Sequence, residues 1–420
     1  MGRRFGMREH YEKVIALCCF LLVFCNVGLA STSFNVYQPY IVALPGIGDS
    51  AGSVIIGVRT FFSLLCMFVV VHYYRLVDCR AGSFIACLFT AASMVVYGLA
   101  ASFPAFCVAA ALGGIGYGLG GMVCTTYLIN RWFKTDVGSA IGIAAVGSGV
   151  ASIVIPATAE RIIALFSLST SFWLEAALAL VIGVLTFTLL RNRPQDMGLE
   201  PYVNPKWLEK HQDDVVHVEG GEDVPVDHGV HLPAMVRTLF IVACVFVGAV
   251  CVSAPTFLSV LLVSEGFGHQ FAALMLSVSG LVLTVGKGAM GKLYDLLGGL
   301  WGTVISFAAF ILGLVLLVIG SSGSELLVWA GCIVYAFGLA IGSTGIPIWS
   351  LHFSTPEERV KTVRTFQTGY SFGSFAFSFV PGILKDALGS YLYSYGLMIG
   401  ILALAGIIIV AVYLRYHASK

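Results

Sequence analysis

The chain has 420 residues, of which 58% are hydrophobic and 11% charged, with a formal net charge of +1. Soluble domains carry about 25% charged residues, so this composition excludes an ordinary soluble protein and points to many membrane spans. There is no basic excess and no basic patch interleaved with aromatics, so no nucleic-acid partner is expected.

A span needs about 20 mostly apolar residues. Twelve runs qualify: residues 14–36, 51–73, 82–102, 104–129, 139–163, 168–190, 237–263, 270–294, 302–320, 326–351, 362–383 and 391–414. The first run follows basic residues and carries Gly28-Leu29-Ala30 near its end, a weak likeness to a cleaved leader. The internal repeat described below needs this segment, so it is read as the first span. Counted by alternate sides of the links, twenty Lys and Arg fall on the side of the termini. Only Arg161 and Lys385 fall on the other side, and Arg59 lies inside a span. By the positive-inside rule both termini are cytoplasmic, and an even number of spans satisfies this.

Eleven cysteines make no Cys-x-x-Cys pair, and most lie within apolar runs. They read as small buried hydrophobes, neither disulfide framework nor metal site. The one long link, residues 191–236, holds nine of the 22 acidic residues and four of the nine histidines: His211, His217, His228 and His231. Their spacing matches no zinc pattern, so the segment reads as a solvated linker.

The two parts of the chain echo each other. At an offset of 217 residues, Arg75-Leu76-Val77-Asp78 with Gly82 lies against Lys292-Leu293-Tyr294-Asp295 with Gly299. Near an offset of 220, Trp132-Phe133 answers His352-Phe353, each before a short charged loop and a helix rich in small residues. Those small residues are Gly138, Gly142, Gly147 and Gly149 in one part, and Gly369, Ser371, Gly373 and Ser374 in the other. Small residues let helix backbones approach in lipid, where no hydrophobic drive joins helices. The expectation is an all-α membrane protein of twelve helices in two six-helix bundles, residues 1–190 and 237–420, joined by a cytoplasmic linker, residues 191–236, around a central path.

On these residues the chain resembles the major facilitator superfamily over its whole length. The family's loop signature, Gly-x-Leu-x-Asp-x-x-Gly, stands after the eighth run as Gly291, Leu293, Asp295 and Gly298. After the second run it is degenerate: Tyr74 replaces the first Gly, Cys79 the usual Arg and Ala81 the later Gly, leaving Leu76 and Asp78. The resemblance implies that Asp78, Asp295, Gly291 and Gly298 belong to gating loops on the cytoplasmic side. The stretches Asn130-Arg131-Trp132-Phe133 and Arg191 to Pro201 look like the oxalate:formate antiporter and monocarboxylate porter branch.

An ionisable residue at membrane depth costs at least about 2.5 kcal/mol and is a functional candidate by default. Arg59 lies eight residues into the second run, about 12 Å along the helix and near the middle of the bilayer core. Its planar fork suits a carboxylate; a pair with a carbonyl or acid on a neighbouring helix is the structural alternative. Lys287 lies eight residues before Asp295, and either snorkels to the cytoplasmic headgroups or faces the path. In the resembled branch an Arg in Gly-Arg-x-x-x-Gly-x-x-x-Asp binds the substrate carboxylate. Here that pattern stands as Gly286-Lys287, Gly291 and Asp295, with Lys in place of Arg. The second cation that oxalate exchangers carry on helix eleven is missing between residues 365 and 383. The helix-one Lys and helix-eight acid of monocarboxylate porters are missing too, so oxalate is not the expected substrate and lactate is not assigned. Along the membrane normal Arg59 and Lys287 differ by about 16 Å if the repeat holds. Glu175, beside Trp173, reads as an interfacial residue near the outer end of helix six, and as a proton-coupling group only secondarily. Polar and aromatic candidates for lining the path are Asn26, Asn35, Tyr37, Gln38, Tyr117, Tyr127, Trp349, Gln367 and Tyr370; each alone is more often packing or an interface anchor. Pro156, Pro255, Pro347 and Pro381 permit bends.

No nucleophile-and-base arrangement, phosphate loop or metal spacing is present, so no enzyme, cofactor or metal is expected. The expectation is a monomeric secondary transporter in the plasma or inner membrane. Arg59 and Lys287 attract a small organic anion, a mono- or dicarboxylate, and a proton or counter-anion couples its movement. The alternatives are a proton-coupled drug or neutral-solute carrier, for which buried acids are scarce, and a membrane sensor that uses the linker as a docking segment.

Overall fold

The computed structural model describes residues 11–32, 34–203, 232–355 and 358–416. The four linker histidines lie outside the described residues. Apart from one isolated bridge between Phe133 and Tyr202, the regular structure described is helical. The chain opens with α1 (Tyr11–Val23), which widens into a π-helical stretch, Phe24–Thr32, and tightens into a 3-10 turn, Phe34–Val36. Then come α2 (Gln38–Val42), α3 (Gly48–Leu76), α4 (Cys79–Leu99), α5 (Phe103–Gly120), α6 (Met122–Trp132), α7 (Val137–Leu165) and α8 (Leu168–Leu189). The second part holds α9 (Ala234–Thr256), α10 (Leu258–Ser264), α11 (His269–Gly320), α12 (Glu325–Leu339), α13 (Ile341–His352), α14 (Arg359–Phe377), α15 (Val380–Leu388) and α16 (Leu392–Tyr416).

Among the described residues, eleven helical stretches are long and apolar enough to cross a membrane. They correspond to the first ten expected runs and the twelfth. The eleventh run is the exception. It forms α14 and α15, interrupted at Ser378-Phe379 ahead of Pro381. Proline lacks an amide N–H and its ring clashes with the carbonyl four residues back, which favours a break here. The first turns of α14 carry Arg359, Lys361 and Arg364, too polar for a continuous apolar window.

Breaks also fall within the first, fourth, seventh and tenth stretches. The first has its π-helical segment. The fourth breaks at Gly121 (φ −80°, ψ −150°), the seventh at Phe257 just after Pro255, and the tenth at Ala340. The interruptions therefore fall in the first, fourth, seventh and tenth runs as well as in the eleventh. Non-helical backbone survives at membrane depth only where protein or a water-filled cavity covers it.

One break is a single residue. Gly298 (φ 78°, ψ 171°) is the only non-helical position within α11, and it turns the chain from Leu297 directly into the next helix. That region of backbone space is essentially open to glycine alone. The expected loop after the eighth run is therefore no loop at all. The corresponding turn after α3 uses two extended residues, Val77 and Asp78, with Gly82 N–H donating to Asp78 O at 2.7 Å to start α4.

The two parts pack through α7 and α11. A Cβ on Gly149 would stand 2.1 Å from Thr284 Oγ1, so glycine permits the close crossing of the two backbones. Further contacts between the parts gather at the end away from the described chain ends. Asn35 Nδ2 donates to Pro255 O (3.2 Å), and Ser259 Oγ donates to Asn35 O. Ser50 N–H donates to Asp386 Oδ2 (3.1 Å), and Gly382 N–H donates to Ser53 Oγ (2.8 Å). Tyr391 OH donates to Asp49 Oδ1 (2.7 Å), and Tyr40 stacks on His269 at 4.3 Å. Burial, with the Asp49 carboxylate beside it, pushes the Tyr391 phenol above its usual range, so it stays a donor.

Candidate functional site

Arg59, in the middle of α3, is 5% exposed. Its Nη1 donates to Ala30 O at 3.3 Å, a carbonyl of the π-helical stretch, and its guanidinium lies 5.6 Å from the Phe34 ring centre. Among the described residues no carboxylate pairs with it. The phenols it senses electrostatically are Tyr97 and Tyr117. Tyr97 OH is itself buried without a hydrogen-bond partner. A fully ionised fork with four of its five donors free is a preformed seat for an anion.

The seat continues into the second part of the chain. Tyr370 on α14 and Cys251 of α9 meet at Gly342. Ser371, next to Tyr370, reaches Met67 Sδ of α3 at 3.6 Å. The second part thus meets α3 on either side of Arg59, through Phe379 at Gly57 and through Ser371 at Met67. Gln367 lies one turn before Tyr370 on α14, half-buried.

Behind Arg59 is an aromatic group that the sequence reading did not single out as a group. Phe34 packs on Tyr97 at 4.7 Å between centroids, and Tyr97 stacks on Phe172 at 5.3 Å. Phe172 stacks on Tyr37 at 4.2 Å. Tyr37 OH in turn donates to Glu175 and lies 2.7 Å from Ser171 Oγ. Glu175 is 5% exposed, so it is a buried acid and not the interfacial residue expected from its Trp173 neighbour. The signal available was Phe172, three residues before Glu175 and on the same helical face. Gln38 is 2% exposed, and both ends of its amide lack partners. The Asn35 side-chain oxygen is likewise unpartnered.

Other candidates are held by the protein itself. Asn26 is fully buried: its amide donates to Leu22 O and Gly120 O, and its oxygen accepts from Thr90 Oγ1 at 2.8 Å. It ties the π-helical stretch to α4 and α5. Trp349 donates to Thr303 Oγ1 at 3.0 Å and packs among Phe240 and Phe307, inside the second part. Tyr127 lies under the Arg131 guanidinium, 4.2 Å from it, at the end of α6.

Lys287 is half-buried on α11, and among the described residues it has no hydrogen-bond or ion-pair partner. It lies one turn beyond Thr284, toward the end that holds the chain termini. Gly147, two residues from the Gly149 that meets Thr284, abuts Phe20 O and Phe24 N. Lys287 is therefore level with the region of Phe20, whereas Arg59 is level with Ala30. Ten residues of helix make a gap of roughly 15 Å. The structure does not bring the two cations together.

Of the loop candidates, Gly291 lies inside α11 with open space about its Cα, and Gly298 forms the turn. The Asp295 side chain lies outside the described residues. Asp78 is exposed and, with Arg75, Arg131, Arg193 and Asp196, lines a polar cavity of about 270 Å³ at the terminal end.

A family model described as Major Facilitator Superfamily matches residues 19–378. Solved structures of transporters share the fold. The nucleoside transporter NupG superposes with a TM-score of 0.72 at 15% identity, over 96% of this chain and 99% of that one. A bacterial homologue of the human lysosomal transporter Spinster, inward-facing and unoccupied, gives 0.69 at 15% identity over 98% of each chain. A D-xylose-proton symporter gives 0.67 at 13% identity, over 95% of this chain and 96% of that one. A sequence search of curated proteins gives no match. The fold and the family match mark a multi-pass membrane transporter. The chain belongs to the major facilitator superfamily.

Proposed function

We propose that this protein is a secondary active transporter of small organic anions, mono- or dicarboxylates, in the plasma or inner membrane. It is built as two six-helix bundles, residues 1–190 and 237–420, with residues 191–236 as the link. On this reading α14 and α15 together form the eleventh of twelve spans, and both termini are cytoplasmic, as the Lys and Arg asymmetry supports. The conformation described is then closed to the outside. Of the family's branches, the oxalate:formate and monocarboxylate group is the one favoured by Asn130 to Phe133 and by Gly286-Lys287 with Asp295.

The observation that carries the reading is Arg59: a buried guanidinium with free donors and, among the described residues, no carboxylate partner, on a helix that the second part meets on either side of it. An uncompensated cation at this depth is costly, and a substrate carboxylate supplies the missing charge. Lys287, about 15 Å nearer the cytoplasm, attracts the anion earlier or later on the same route. Gln38 and Asn35 offer unpartnered amides to its polar groups. The two parts rock about the α7–α11 crossing to expose the site to either side.

Uptake of radiolabelled carboxylates into vesicles tests this. Arg59→Ala is expected to lower uptake on the order of 10- to 100-fold, the worth of a lost hydrogen bond to a charged group. Unchanged uptake in both Arg59→Ala and Lys287→Ala overturns the site assignment.

A further inference from the structure

We propose that Glu175 is the proton-binding group of this carrier, and that its protonation holds the end away from the chain termini shut. The inference rests on the transport reading above and adds the coupling ion and its place. Glu175 sits on α8 with one carboxyl oxygen accepting from Tyr37 OH. The other oxygen, Oε2, is buried without a partner. No cation among the described residues pairs with this carboxyl. A carboxylate buried with a bare oxygen is strongly disfavoured; the neutral acid keeps the Tyr37 bond and carries no charge that needs a partner. The conformation described is thus the one that suits a proton on Oε2.

Tyr37 connects this carboxyl to the closure. It stands two residues after Asn35, whose amide and carbonyl both bond the second part at Pro255 and Ser259. It stands three residues before Tyr40, whose ring lies on His269 and whose hydroxyl donates to Glu160 of α7 at 2.7 Å. One short segment, residues 34–42, therefore carries both the bond to Glu175 and the seat against the second part. When Glu175 loses its proton, Oε2 demands water. The packing of Phe34, Tyr37, Tyr97 and Phe172 is aromatic and gives Oε2 no second hydrogen bond, and the segment must leave its seat. The step is a simple exchange: the carboxylate takes a proton from water while this end is open, closes with it, and returns it to water after the other end opens.

The charged and titratable groups around Glu175 are Tyr37 on its own side, Tyr97 on α4, and Arg59 on α3 beyond Phe34. Glu160 and His269 sit at the far end of the Tyr40 contact. Tyr37 is the only one in direct contact with the carboxyl.

The test needs no substrate. Spin labels at the exposed positions Ala43 and Ala387 report the gap between the two parts by pulsed electron resonance, in lipid nanodiscs from about pH 5 to about pH 9. Wild type is expected to show the short distance at low pH and a longer one as pH rises. Glu175→Gln keeps the short distance throughout. Tyr37→Phe, which keeps the ring, moves the midpoint upward by about one pH unit, since the carboxylate loses its one hydrogen bond. A wild-type distance that ignores pH, a Glu175→Gln protein that follows wild type, or an unmoved midpoint in Tyr37→Phe each overturns the proposal. If Glu175→Gln does not fold, the Tyr37→Phe midpoint decides alone. Failure of carboxylate uptake leaves this measurement untouched, so the two readings fail separately.

Discussion

Arg59 and Lys287 each lie on the second span of their part of the chain, and they have little else in common. Arg59 is enclosed: a carbonyl of the π-helical stretch and the Phe34 face lie against it, with Tyr97 packed on Phe34. Lys287 is half-buried, unpartnered and roughly 15 Å closer to the terminal end. What is built into one part as a seat is in the other a charge still within reach of water.

Substitutions at Arg59, Gly298, Asn26 and Lys287 sharpen or break that contrast. The largest effect is expected at Arg59. Arg59→Lys retains charge but loses the planar fork, so in vesicle uptake it should fall between wild type and the 10- to 100-fold loss of Arg59→Ala. A lysine as active as arginine would make the seat a point charge and erase the difference from Lys287. Next comes the turn beyond Lys287. Gly298→Ala forces a side chain into backbone space reserved for glycine, at a cost of about 1–3 kcal/mol. Val77→Ala at the matching turn, where the backbone is ordinary extended chain, should change the thermal unfolding midpoint far less. Asn26→Ala strips Thr90 of its acceptor in a fully buried position and should destabilise by about 1–3 kcal/mol, again read by thermal unfolding, while the substrate preference stays that of wild type. A changed preference would return Asn26 to the path. The smallest effect belongs to Lys287→Ala: a half-exposed, unpartnered charge contributes about 0–1 kcal/mol, so uptake should stay within about fivefold of wild type. A larger loss would mean that Lys287 holds the substrate directly.

Hydropathy alone made the spans legible, because about twenty apolar residues in a row admit few other readings. The eleventh run escaped a purely apolar description because its first turns are cationic and Pro381 divides it. The interruptions at Phe24, Phe257 and Ala340 were not legible. Pro255 and Pro347 flag bends without locating them, and nothing local distinguishes Ala340 from its helical neighbours. The buried charge of Arg59 stood out, since a lone arginine among apolar residues has few innocent explanations. Its surroundings did not: Phe34, Tyr97 and Phe172 come from three distant segments, and only their packing makes one cluster. Glu175 was misplaced for a related reason. Its position along α8 puts it near the membrane boundary beside Trp173, but the rotation of the helix turns it inward to Tyr37, and that rotation is set by neighbours elsewhere in the chain. Asn26 and Trp349 show the converse, polar groups whose partners were invisible until Thr90, Gly120 and Thr303 came alongside.

The bonds that close the end away from the chain termini are mostly of one kind: a side chain on one part meets a main-chain atom on the other. Asn35 takes Pro255 O, Ser259 takes Asn35 O, Gly382 N–H takes Ser53, and Ser50 N–H takes Asp386. Each is worth only about 0.5–1.5 kcal/mol net, so the whole latch holds by a few kcal/mol, the size of a bias that one bound ligand can reverse. None of these contacts is an ion pair between opposite charges, so ionic strength has little purchase on them. The latch should release as readily in concentrated salt as in dilute buffer, leaving its control to what binds inside.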